Sequence, residues 1–171
     1  MPRQTFIKLY TRTWNENSSE IRPCATEAQL SRLMEEYEVD IVSIRPNSMF
    51  ESLDAWLRRN FPSLKFNIIL TGDHTRSKLY NGHDIFIDDA PSLAKEFIDE
   101  EPETIGKHNF VPRHPWNERI LSRNGRNTIT IVRNLTHAIS ILTGEENVPM
   151  AGASARQKNK LTFIGRTQRP A

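Results

Sequence analysis

Short runs of β-branched and aromatic residues alternate with amphipathic stretches along most of this chain, and that alternation restricts its fold more than any other feature. Thr5–Tyr10, Val39–Ser43, Phe66–Leu70, Asp84–Ile87 and Thr128–Val132 read as strands. Thr26 opens a helix, with Gln29 three residues on completing a capping-box pattern, and Leu30, Leu33, Met34 and Tyr37 share one face. Ser48 and Glu51 repeat that pattern ahead of a helix carrying Leu53, Trp56 and Leu57, which Pro62 closes. Ala90-Pro91-Ser92 starts a helix bearing Leu93, Ala94 and Phe97, and Leu135–Leu142 forms a closing one. Asn15–Cys24 and Lys107–Asn127 read as irregular, the second broken by Pro112, Pro115 and a polar turn at Gly125. Strands separated by helices predict a parallel α/β sheet with helices on both faces. Ligands of such sheets bind beyond the carboxyl ends of the strands, near a reversal of strand order. Chemistry is therefore expected just after Tyr10, Val42, Leu70 and Ile87.

Composition bounds the rest. A chain of 171 residues fits one domain, and 37% hydrophobic with 26% charged residues excludes a disordered polymer. No apolar run approaches the roughly 18 residues that span a bilayer. Met1-Pro2-Arg3-Gln4 lacks the apolar core of a signal peptide, so a cytoplasmic setting, or the interior of a host cell for a viral protein, is expected. The single cysteine, Cys24, excludes an internal disulfide and reads as a spectator thiol. The net charge of +2 hides an asymmetry: from Val148 onward there are Arg156, Lys158, Lys160, Arg166 and Arg169 and no acid. The expected organisation is an α/β domain over 1–147 and a basic extension over 148–171. That extension is either solvated or a contact for nucleic acid or an acidic protein.

Two of the expected ligand positions carry suggestive residues. Ser43-Ile44-Arg45-Pro46 leaves one buried strand, and Asp88-Asp89 leaves another. Lys78 lies in the segment leading to the second. Ser43, Arg45 and Lys78 suit a phosphate, while Asp88 and Asp89 offer hard oxygens to Mg²⁺. Each also has an ordinary reading: a cap, a surface lysine, and acids meeting a helix N-terminus.

In this order, Ser43, Lys78 and Asp88-Asp89 resemble the second, third and fourth motifs of the haloacid dehalogenase (HAD) superfamily. Ile85-Phe86-Ile87-Asp88-Asp89-Ala90-Pro91 is similar to the fourth motif of its 5′(3′)-deoxyribonucleotidase branch. His114-Pro115-Trp116-Asn117 resembles the Pro-aromatic-Asn element of that branch, and Ile131-Val132-Arg133-Asn134 its late strand. The similarity runs from about Thr26 to Leu142. It implies a HAD-like Rossmannoid three-layer fold with a mainly parallel sheet. It also implies Mg²⁺-dependent phosphomonoester hydrolysis, in which an Asp-x-Asp motif supplies nucleophile and acid-base. Only about thirty residues separate Tyr10 from Ser43, too few for a large cap domain. Trp116, His114 and Asn117 are either a base-stacking wall or core residues in a turn.

The chain departs from that family at the first motif. Lys8 and Tyr10 stand where the two aspartates belong, and no Asp occurs before Asp40. Three expectations follow. One is a pseudo-enzyme that binds phosphate or nucleotide, with the Lys8 ammonium in place of Mg²⁺ beside Asp88 or Asp89. Another is an active nucleotidase using Asp73 or His74. The third is a non-enzymatic interaction or structural subunit engaging partners through its basic tail.

Overall fold

A computed structural model describes residues 21–43, 45–72, 82–122 and 128–146, and the backbone of 160–163. In chain order the elements are α1 (Glu27–Glu36), β1 (Glu38–Ser43), α2 (Phe50–Asn60), β2 (Asn67–Leu70), β3 (Ile85–Ile87), α3 (Pro91–Ile98), β4 (His108–Pro112), α4 (Glu118–Leu121), β5 (Ile129–Val132), α5 (Leu135–Leu142) and β6 (Lys160–Phe163). The predicted α/β class with a parallel sheet is what forms. All pairings are parallel, in the order β2-β1-β6-β3-β4-β5.

The topology follows from handedness. From the centre, β1→α2→β2 winds outward one way and β3→α3→β4→α4→β5 the other. Right-handed crossovers in opposite directions place their helices on opposite faces. Leu53 and Leu57 of α2 accordingly join α1 and α5 against Val39, Ile41, Ile85, Ile87, Phe110 and Val132. Leu93, Ala94 and Phe97 of α3, with Leu121 of α4, cover Val42, Phe86, Val111 and Ile129. Alternate residues of one strand thus feed two cores, as the period of two demands.

Local signals explain most element ends. Thr26 caps α1 as expected: its Oγ1 accepts from Gln29 N at 3.3 Å while Gln29 Oε1 accepts from Thr26 N at 2.9 Å. The second capping box does not form. Pro46 nucleates a 3-10 turn over Asn47–Met49, so α2 starts one residue after Ser48 would allow, with Met49 at its N-cap and no side-chain cap. Burial of Met49 in the core fixes that register. Asn134 caps α5, accepting from His137 N at 2.9 Å.

Two expectations need correction. The stretch from Lys107 was read as irregular, yet His108–Pro112 is a buried strand between β3 and β5. Its polar His108 and Asn109 concealed it. The second concerns the boundary at 147/148. Lys160–Phe163, assigned to the basic extension, is the strand between β1 and β3. Both neighbours are buried and need ladder partners, since an unpaired inner strand edge leaves amides and carbonyls unsatisfied. Thr5–Tyr10, expected to be the first strand, lies outside the described residues.

Candidate functional site

The strand order reverses at β6, and the carboxyl ends of its neighbours bring together the residues flagged in the sequence. Ile41, Phe163 and Ile87 share one level across β1, β6 and β3. Ser43 and Asp88 therefore leave the sheet above that level, two strand spacings or roughly 10 Å apart.

On the β1 side, Ser43 and Arg45 are both buried, at 3% and 6% exposure. Ser43 Oγ accepts from Arg45 Nη1 at 3.2 Å and from Arg45 N at 3.4 Å. The Ser43 carbonyl accepts from Thr71 N at 2.8 Å, which ties the exit of β2 to the same corner. A guanidinium held in a buried corner is costly to desolvate and needs hydrogen-bond partners there.

On the β3 side, Asp88 extends the ladder by one bond, donating its N–H to Phe110 O at 3.1 Å. Its Oδ1 accepts from Ala90 N at 3.0 Å, a turn that starts α3. The structural role open to an acid before Ala-Pro is thus filled by Asp88. Asp89 is also buried, with Oδ2 3.9 Å from His114 Nε2.

Asn117, fully buried, locks this corner. Its Nδ2 donates to Asp89 O at 3.1 Å and to Pro112 O at 2.8 Å, while its Oδ1 accepts from His114 N at 2.9 Å. One side chain thus joins the exits of β3 and β4 and shapes the loop between β4 and α4. That loop presents Trp116, 44% exposed, stacked on His114 with ring centroids 4.2 Å apart and planes 13° apart. Of the two readings of this motif, Asn117 takes the structural one and Trp116 is a surface aromatic, not a core one.

Lys8, Tyr10, Lys78, Asp73 and His74 lie outside the described residues. The central strand itself carries Lys160-Leu161-Thr162-Phe163, and no acid occurs between Asn147 and Ala171. Neither terminal segment of the chain therefore supplies an aspartate to a strand in the central slot.

Sequence reading passed over a second buried polar group. Asp40 lies toward the amino end of β1. Its Oδ2 is 2.8 Å from His83 Nε2 and its Oδ1 accepts from Asn67 Nδ2 at 3.1 Å, with Asp40 and His83 almost wholly buried. An acid inside the apolar run Val39-Asp40-Ile41-Val42 was the available signal. This group sits on the α3 face, away from the strand exits.

As for a metal, Mg²⁺ commonly binds through one or two carboxylates together with substrate phosphate oxygens. Asp88 and Asp89 fit that donor type. Among the described residues no group of three His, Cys, Asp or Glu side chains converges as a metal cage. No described helix is long and apolar enough to cross a membrane. No protein-family model, curated protein or solved structure matches this chain.

Proposed function

We propose that this domain is a phosphate- or nucleotide-binding relative of the HAD-like phosphatases in which hydrolysis is lost or weakened. The observation that carries this reading is the opposed arrangement at the reversal of strand order. A buried Ser43–Arg45 corner stands on one side of β6 and the Asp88–Asp89 pair on the other. A hydroxyl and a guanidinium are matched to phosphoryl oxygens through charge-assisted hydrogen bonds. Asp88 and Asp89 would hold Mg²⁺, which when bound would neutralise phosphate charge. The order of these residues along the chain supports kinship with the deoxyribonucleotidase branch. The missing Asp-x-Asp pair supports binding without turnover, because phosphoryl transfer in that family begins with aspartate attack.

The test is calorimetric titration and thermal melting of the full chain with deoxynucleoside monophosphates and with inorganic phosphate, each with and without Mg²⁺. Phosphate release from the same nucleotides and from an aryl phosphate is measured in parallel. Saturable binding that Arg45→Ala removes, with no release above background, is expected. Robust turnover abolished by Asp88→Asn would make the protein an active nucleotidase instead. No binding of either ligand would leave a non-enzymatic interaction or structural subunit.

A further inference from the structure

Among the described residues, Phe50, Ile105 and Trp116 are the large apolar side chains that stand exposed. Single exposures of this kind are common and signify nothing by themselves. Trp116 differs in what holds it. Its ring is stacked on His114 with centroids 4.2 Å apart and planes 13° apart, and the residue is still 44% exposed. His114 in turn brings Nε2 to 3.9 Å from Asp89 Oδ2, so the stack abuts a buried carboxylate of the candidate site. Ile105, by contrast, precedes β4 at the amino edge of the sheet, away from the strand exits.

The stack and the acid share one anchor. Asn117 Nδ2 donates to Asp89 O and to Pro112 O, and Asn117 Oδ1 accepts from His114 N. The backbone that carries Asp89 and the backbone that carries His114 are therefore tied to the same fully buried side chain. An indole fixed in this way loses little freedom when another ring lies on it, and a preorganised contact gives up less of its binding free energy to ordering. The imidazole covers one face of the indole, and the exposure of the residue leaves surface for a second ring. Every nucleobase offers a π-face to such a platform, whereas inorganic phosphate and sugar phosphates offer none.

We infer that the His114–Trp116 stack is an aromatic subsite beside Asp89, and that the ligand of the strand exits is a nucleoside monophosphate whose base stacks on Trp116. This rests on the phosphate- and Mg²⁺-binding function proposed above and narrows its ligand from phosphates in general to those that carry a base. Trp116 makes the contact, while His114 and Asn117 position it.

Calorimetric titration of the full chain in the presence of Mg²⁺ compares 2′-deoxyadenosine 5′-monophosphate with 2-deoxyribose 5-phosphate and inorganic phosphate. The nucleotide should bind roughly 5- to 150-fold tighter than the sugar phosphate, the range that one base stacked on an aromatic side chain adds. Trp116→Ala should bring the nucleotide down to the affinity of the sugar phosphate. Trp116→Phe, which keeps a smaller ring, should restore part of the preference. Trp116 is exposed, and melting curves verify that both variants fold. Equal affinities for nucleotide and sugar phosphate in the native chain, both removed by Arg45→Ala, overturn the aromatic subsite and leave the phosphate site standing. A preference for the nucleotide that survives Trp116→Ala has the same consequence. No saturable binding of any of the three ligands overturns the phosphate site, and the subsite falls with it.

Discussion

Asn117→Asp changes one atom type and should unfold the site corner. Asn117 Nδ2 makes two donations, to Asp89 O at 3.1 Å and Pro112 O at 2.8 Å, in a fully buried setting. An ionised aspartate has the same shape and no donor. It leaves two carbonyls facing a carboxylate oxygen. Each buried carbonyl left without its donor costs about 1–3 kcal/mol. Discounting for relaxation and residual water, the sum is about 3–5 kcal/mol. In a domain of this size that lowers Tm by roughly 6–20 °C. Asn117→Ala, which removes the same bonds but lets water enter, should cost less than Asn117→Asp. Urea unfolding of both variants at neutral pH measures the difference. Lowering the pH should restore part of the stability of Asn117→Asp, because a protonated carboxyl regains one donor. A cost below about 1 kcal/mol, or a smaller cost for Asp than for Ala, would refute the assignment of Asn117 as the clasp between β3 and β4.

Two further expectations rest on β4. Asn109 is fully buried beside Phe86 and Ile129, and among the described residues neither its Nδ2 nor its Oδ1 has a hydrogen-bond partner. Asn109→Leu, close in volume, should therefore stabilise the fold by about 1–2 kcal/mol; chemical denaturation showing a loss instead would mean that the amide has a function. His108, whose Nε2 is 2.8 Å from Thr130 Oγ1, is held by burial to a pKa of about 4. The folded value lies below the unfolded value of about 6.5, so the unfolded chain binds the extra proton first. The stability tied to neutral His108 is complete above about pH 6.5 and is lost as pH falls toward 4, by up to ~3 kcal/mol. Unfolding free energies across that window should fall less steeply in His108→Gln, and an unchanged slope would assign the loss to other groups.

How much of this molecule was legible in the sequence depended on whether its signals were local. The parallel α/β class came from the period-two and period-3.6 patterns of runs such as Val39–Ser43 and Leu135–Leu142, and the capping box of Thr26 and Gln29 marked the start of α1. The ordered residues Ser43, Arg45, Asp88 and Asp89 were visible because strand ends collect chemistry in such sheets, and all four stand at the exits of β1 and β3. Pro46 was equally visible, but its preference for a 3-10 turn over the Ser48 cap emerged only with Met49 packed into the core.

Non-local decisions were out of reach. β4 was hidden because His108 and Asn109 look like loop residues until Thr130, Phe86 and Ile129 surround them. The partners of Asp40, His83 and Asn67, are distant in sequence and meet it only in the fold. Above all, the sequence alone determined that a parallel sheet would form and that neither Thr5–Tyr10 nor the run from Val148 onward carries an aspartate. Only the tertiary structure decided that the central strand is Lys160–Phe163, because strand partnership is set by which edges of β1 and β3 must be covered, not by any residue within the run.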